Sequence, residues 1–98
     1  MPTKKILELP SKIKVAIFRS TMGVYIAELP DYDLHTEADS IQELAFNVND
    51  LIYAYFDVDK EYQKGIWYRP VDGTNQISSQ KSVPLVFQKF LPAYNFKH

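Results

Sequence analysis

A chain of 98 residues, 46% hydrophobic and 23% charged, has room for one folded domain around one core. It contains no cysteine, which excludes disulfides and thiolate zinc sites, and its two histidines, His35 and His98, are too few for an all-protein metal centre. No apolar run approaches the roughly 20 residues of a membrane span, so we expect a soluble, cytoplasmic protein without cofactor or metal.

The charges are unevenly distributed along the chain, although they sum to only -1. Residues 28–61 hold ten of the twelve acidic residues, whereas most basic residues lie in the flanking segments. Most such runs simply keep a surface solvated. The pattern also fits an acidic face that attracts a basic partner, unless the basic flanks fold over it.

The first half of the chain is predicted to begin with three strands. Residues 13–19, IKVAIFR, alternate with the two-residue period of a strand. Gly23 suits a tight turn, and residues 24–30, VYIAELP, form a second strand that ends at Pro30. After the turn PDYD, residues 34–37 form a short third strand. The first two strands pair as a hairpin.

An amphipathic helix is predicted to follow Ser40. Ser40 and Glu43 have the spacing of a capping box, in which the Glu43 carboxylate returns to the Ser40 amide, and Asp39 adds negative charge at the positive end of the helix dipole. We expect four apolar residues to be buried against the sheet, as part of a stripe that repeats for about four turns. The buried four are Leu44, Val48, Leu51 and Ile52, and the stripe also contains Ile41 and Tyr55.

The second half of the chain is less clearly patterned. Residues 66–70, IWYRP, are predicted to form a fourth strand, and residues 71–83 are predicted to form an exposed loop. For the C-terminal segment, residues 84–98, the pattern does not decide between helix and strand. The apolar residues after Ser82 fit either helical spacing or a strand, and a short helix is slightly favoured. The sequence therefore predicts one α+β domain over residues 1–98, an antiparallel sheet of three to four strands with one long helix packed on it.

No catalytic motif is present: the chain has no glycine-rich phosphate loop, nucleophile elbow or HExxH pair. Four acids, Asp31, Asp33, Glu37 and Asp39, could bind Mg²⁺, although they suit a turn and a helix start equally well. His35 has no nucleophile or second base predicted beside it. The sequence pI of about 6.1 does not favour nucleic-acid binding. We therefore expect no enzymatic activity.

A second aromatic stripe lies on the predicted helix, about 150° from the core stripe. Phe46 and Tyr53 are seven residues apart and are bordered by acidic residues. Aromatic residues with a charged rim are typical of protein interfaces. The alternative is that the C-terminal segment folds back and covers both rings within the monomer. We predict that an interface with a partner or a second copy contains Phe46, Tyr53, Glu43, Asp50 and Asp57.

The order of strands, turns and capped helix resembles the HicB-type antitoxins. The family pattern GGYxAxxPDLPGxxTxGDTxEEALxNxxEAI corresponds here to GVYIAELPDYDLHTEADSIQELAFNVNDLI, within a similarity that covers residues 13–57. The pattern's central Pro-Gly is missing, and Ala38 replaces a glycine. Ser40 stands in place of a threonine, and the sequence matches the pattern at Gly23, Tyr25, Ala27, Pro30, Asp31, Thr36, Asp39, Glu43, Leu44 and Asn47.

The resemblance implies a partial RNase H-like sheet with the order β-β-β-α-β and without catalytic acids. It also implies a protein that neutralises a small basic RNase toxin by direct contact and self-associates as a homodimer or higher oligomer. The residues after position 62 do not resemble the DNA-binding domain of many members. Two alternatives stay open: a stand-alone homo-oligomeric or small-ligand-binding module without a toxin, and a metal-dependent hydrolase that uses the acids of residues 31–39.

Overall fold

The structure is a computed structural model that describes residues 9–71 and 82–91. In these ranges five strands form one antiparallel sheet in the order β3-β2-β1-β5-β4. One long helix packs on one face of the sheet, so the α+β prediction is confirmed with a strand more than the three to four expected. The elements are β1 Lys12–Arg19, β2 Tyr25–Leu29, β3 Leu34–Ala38, α1 Ile41–Tyr55, α2 Lys60–Gln63, β4 Trp67–Pro70 and β5 Val83–Phe90.

The first hairpin forms as its alternating pattern predicts. Ile13, Val15 and Ile17 of β1 are buried, while their neighbours in sequence are partly or fully exposed. Ile17 pairs with Ala27 of β2. The turn between the strands places Gly23 at a φ of 87°, a conformation that other residues rarely adopt.

The prediction of a short helix near the C-terminus is wrong, because residues 83–90 form strand β5. Leu85 and Phe87 are buried and Val86 between them is exposed, which is the period of a strand. β5 pairs with β1 over six positions, and this pairing decides between two local patterns that fit equally well. Of the predicted loop over residues 71–83, Val71 and Ser82 are exposed and Val83 begins β5, while residues 72–81, like residues 92–98, lie outside the described ranges.

Helix α1 has the predicted bounds and the predicted cap. The Glu43 amide donates to Ser40 Oγ at 3.1 Å. The Glu43 carboxylate accepts from the Asp39 amide at 3.1 Å, one residue before the expected Ser40 amide. The Glu43 amide is one of the first amides of the helix, which have no intrahelical partner, whereas the Asp39 amide precedes the N-cap residue. Among the described helices, none is long and apolar enough to cross a membrane.

The buried face of α1 is turned relative to the predicted core stripe. Leu44, Val48 and Ile52 are buried as expected, whereas Leu51 is half-buried and Tyr55 is 52% exposed. In their place the helix buries Asn49 and Tyr53. The reason is that β4 and the connection that leads to it pack on this side of α1, in addition to the sheet behind Leu44.

Because the buried face of α1 is turned, shortening Ile52 and shortening its neighbour Leu51 should change the free energy of unfolding by different amounts. Ile52→Ala should lower the free energy of unfolding by about 2–5 kcal/mol, because a side chain that is 1% exposed leaves a cavity. Leu51→Ala should cost at least about 1 kcal/mol less, since Leu51 is half-buried. Urea denaturation measures both values. Equal losses, or a larger loss for Leu51, would contradict the observed orientation of α1.

Candidate functional site

One stripe of α1 faces away from the core and carries an exposed aromatic ring. Glu43, Phe46 and Asp50 follow one another at three- and four-residue spacing, so they share this stripe. The Phe46 ring is 61% exposed and yet contacts Trp67 edge to face, with ring centroids 5.2 Å apart. Such a pair contributes about 0.5–1.5 kcal/mol beyond the area it buries. We call Phe46 and Trp67 the aromatic ridge, with Glu43 and Asp50 as its acidic rim.

Trp67 reaches Phe46 because Asn49 fixes strand β4 to the helix. Asn49 is fully buried, and its side-chain amide donates to the Tyr68 carbonyl at 2.8 Å and to the Ala45 carbonyl at 2.9 Å. Its side-chain oxygen accepts from the Tyr68 amide at 2.7 Å. The two bonds to Tyr68 are those that a neighbouring strand would make. Trp67 precedes Tyr68, so the same contact positions its ring.

The free edge of β4 needs this partner because β4 is the last strand of the sheet. The Val71 amide donates to the Val86 carbonyl of β5 at 3.1 Å. In an antiparallel pair, alternate residues direct their backbone groups to the neighbouring strand, so the backbone groups of Tyr68 and Pro70 point away from β5. Proline has no amide hydrogen to leave unpaired at such an edge. Asn49 and Pro70 together therefore protect β4 against pairing with another strand.

The prediction that Tyr53 belongs to an exposed interface is wrong. Tyr53 is 7% exposed, and its hydroxyl donates to the Ile66 carbonyl at 2.7 Å. The Gln63 carbonyl lies 3.2 Å from the same hydroxyl. The ring therefore belongs to the monomer core, as the fold-back alternative anticipated. Both carbonyls belong to the connection between α1 and β4, whereas the alternative placed the cover in the C-terminal segment.

Asp57 also lies away from the aromatic ridge. It follows α1 with a φ of 56°, about three helical turns or roughly 16 Å along the axis from Phe46. Its neighbour Phe56 contacts Tyr32 at a centroid distance of 5.5 Å, and Tyr32 contacts Tyr55 at 4.9 Å. Asp57 thus sits beside a second aromatic group at the opposite end of the helix. The predicted interface is divided, and Phe46, Glu43 and Asp50 are the members that stay together on the surface.

Burial and neighbouring charge shift the ionisation of three tyrosines. Burial raises the pKa of Tyr53, and the nearby Asp50 carboxylate raises it further. Burial raises the pKa of Tyr68 far above its ordinary value. Tyr32 has a raised pKa because of burial and the Asp31 carboxylate. In each case the neutral phenol is favoured, and the hydroxyls of Tyr53 and Tyr68 donate hydrogen bonds to backbone carbonyls.

The four acids that suggested a metal site stand at two ends of a strand. Asp31 and Asp33 lie in the turn before β3, whereas Glu37 and Asp39 lie at its far end. A five-residue strand is roughly 17 Å long, which is too far for shared ligation. In residues 9–71 and 82–91, no group of three or more metal-ligating side chains is close enough to hold an ion. The geometry gives the hydrolase alternative no support.

Sequence reasoning missed the two residues that build the ridge. The sequence places Trp67 within the predicted strand of residues 66–70, and its hydrophobic periodicity leaves Asn49 outside the predicted buried stripe. A signal was available for Asn49. It lies four residues before Tyr53 and three before Ile52, so these three residues share one side of α1. A buried asparagine on a helix predicts a backbone edge facing it, because its amide must find partners.

Comparisons of the chain with protein-family models, with curated proteins and with solved structures give no match. The likeness to HicB-type antitoxins therefore rests on the sequence pattern over residues 13–57. The aromatic ridge and its acidic rim determine the chemistry of the candidate contact surface.

The tyrosine environments predict how stability changes at alkaline pH. Tyr53 and Tyr68 have raised pKa values when folded, so the unfolded chain loses these protons first, near pH 10. Their contribution to stability is present below about pH 10 and is lost as the pH rises through the folded values. Ultraviolet absorbance during an alkaline titration should show that some tyrosines ionise only when the protein unfolds. The Tyr53→Phe variant should have one fewer of these late-ionising tyrosines. A single early step that includes every tyrosine in folded protein would contradict this.

Proposed function

We propose that this chain is a non-catalytic protein-binding domain of the cytoplasm, a HicB-like antitoxin or a derivative of one. In this proposal it neutralises a small basic RNase toxin by direct contact, without turnover. The sequence pattern over residues 13–57 supports the family, and the acidic segment 28–61 supports a basic partner. The contact surface is the aromatic ridge with its acidic rim.

The exposed Phe46 ring is the observation that carries the proposal. A side chain of this size, 61% exposed on a regular helix, offers apolar area that a partner can bury at about 25 cal/mol per Å². Trp67 restricts the ring through the edge-to-face contact at 5.2 Å. Less conformational freedom is then lost on binding, which favours affinity. Held aromatic residues of this kind are typical binding hot spots.

The acidic rim indicates the chemistry of the partner. Asp50 lies one turn after Phe46 and Glu43 one turn before it, both exposed. A partner that inserts an apolar group against Phe46 would bring its surrounding lysines or arginines close to these carboxylates. Such pairs contribute mainly to association rate and specificity. The ridge therefore suits a basic protein with an apolar centre in its contact surface.

A homo-oligomeric module without a toxin is the second candidate. It is favoured by one observation: no element within residues 9–71 and 82–91 covers the apolar side chains of Phe18, Ile26 and Val86 on the outer face of the sheet. Its surface would border the ridge, because Trp67 pairs with Phe90 across β4 and β5 and points to the same face of the sheet.

Phe46→Ser tests the proposal against a matched exposed residue, Met22→Ser. Met22 is 88% exposed in the β1–β2 turn and lies outside the ridge. Tagged full-length wild type and the Met22→Ser variant should each retain a small basic protein from the native host. Phe46→Ser should lose at least about tenfold in affinity for that protein. Purification, followed by titration with the identified protein, measures the loss.

Circular dichroism and urea denaturation serve as the folding control. Phe46→Ser removes a mostly exposed ring and one aromatic contact, so it should cost no more than about 2 kcal/mol of stability. A folded Phe46→Ser variant that binds the basic protein as tightly as wild type would contradict the proposal that the ridge is the contact surface. A wild-type chain that retains no basic protein would contradict the proposed function itself.

A further inference from the structure

The outer face of the sheet, opposite α1, brings together two basic residues that are far apart in the sequence. Lys12 of β1 and Arg69 of β4 both pair with Gln88 of β5, which lies between them. All three are exposed, and each is next to a buried core residue, so the three side chains point to the outer face. Neighbouring strands are about 4.8 Å apart, which places the two basic residues roughly 10 Å from each other.

An aromatic row lies beside these three residues. Trp67 pairs with Phe90, two residues along β4 and β5 from Arg69 and Gln88, so both rings are on the outer face as well. The Arg69 guanidinium lies over the Phe90 ring, with its central carbon 4.2 Å from the ring centroid. This cation–π contact holds the guanidinium plane against the ring. Because Arg69 is exposed, the other side of the plane is accessible to a ligand.

A groove of about 400 Å³ opens at the stacked pair. Its volume is within the range of about 300–1,000 Å³ that is usual for ligand sites. The Gln88 side chain supplies both donors and an acceptor there, the groups that recognise the edge of a planar base. The residues that line the groove are Arg69, Pro70, Val71, Gln88, Lys89 and Phe90. We call Lys12, Arg69, Gln88 and Phe90 the basic platform.

Acidic residues border the basic platform and limit its extent. Glu28 pairs with Ala16 and is therefore a diagonal neighbour of Lys14, which it partly neutralises. The acidic rim of the ridge lies on α1, beyond Trp67. Among the described residues of the aromatic row and of the row that contains Gln88, none is acidic. An anionic ligand is therefore restricted to the corner formed by β4, β5 and the start of β1.

We propose that the basic platform binds single-stranded nucleic acid. One base stacks on the open side of the Arg69 guanidinium, and a neighbouring backbone phosphate pairs with Lys12. An acidic peptide would use the two charges but would leave the stacking plane unused. A duplex would leave it unused as well, because its bases are already stacked on one another. The sequence pI of about 6.1 does not indicate this surface, since it averages the platform with the acidic segment 28–61.

Fluorescence anisotropy with labelled probes of about 12 nucleotides tests the proposal, since single-strand sites cover roughly 4–16 nucleotides. At about 50 mM salt, full-length wild type should bind a single strand of RNA or DNA with a Kd below about 100 μM. It should bind the matching duplex at least about tenfold more weakly. Separate RNA and DNA probes identify the sugar that the platform prefers, and binding of either single strand supports the proposal.

Paired charge-removing variants locate the site. Lys12→Gln/Arg69→Gln should weaken binding at least about tenfold, because it removes the phosphate contact and the stacking plane. Lys60→Gln/Lys64→Gln removes the same charge from exposed positions near α2 and should change the Kd less than about twofold. Arg69→Lys keeps the charge but loses the plane, so it should still weaken binding about fivefold.

Several results would overturn the proposal. They are a wild-type chain that binds neither single strand up to about 100 μM, a duplex bound as tightly as a single strand, and equal losses in the two paired variants. An Arg69→Lys variant that binds like wild type would also overturn it. If circular dichroism shows that Lys12→Gln/Arg69→Gln does not fold, the result for Arg69→Lys decides.

The basic platform shares no residue with the aromatic ridge or its acidic rim. Each platform variant should therefore bind the basic protein of the ridge test as wild type does, and Phe46→Ser should keep its affinity for the single strand. The two tests can thus fail separately, and the failure of one leaves the other proposal unaffected.

Discussion

The contact between the Asn49 side chain and the backbone of Tyr68 fixes the two halves of this small domain to each other. A buried amide that lost these partners would cost about 1–3 kcal/mol for each unsatisfied group, so the orientation of α1 and the position of β4 are set together. Phe46 lies three residues before Asn49, and Trp67 lies one residue before Tyr68. The aromatic ridge is therefore a consequence of the hydrogen bonds beneath it, and its exposed ring is held by the same contact that closes the sheet edge.

The proposed contact surface combines an apolar anchor with charge. The ridge offers one aromatic anchor with an acidic rim, which suits a basic protein. Phe46 lies on α1 and Trp67 on the edge strand β4, so this surface spans the helix and the neighbouring edge of the sheet.

The sequence predicted those elements whose signals are local. The cap formed by Ser40 and Glu43 and the bounds of α1 depend on residues within a few positions of one another. Strand β5 was missed because its apolar residues fit two periods, and pairing with the distant β1 decides between them. The burial of Asn49 and Tyr53 was missed for the same reason. Hydrophobicity alone orients a helix towards one sheet, whereas here carbonyl and amide groups of the chain beyond it also approach the helix.

Hydrogen exchange of the Tyr68 amide tests the role of Asn49 most directly. If Asn49 fixes β4 to α1, this edge-strand amide should exchange only through global unfolding, with the same free energy as the Ile52 amide in the middle of α1. The measurement uses the unmodified chain, under conditions in which exchange reports the opening equilibrium. A Tyr68 amide that exchanges as fast as those of the exposed β1–β2 turn, while Ile52 stays protected, would show that β4 opens independently and would contradict this account.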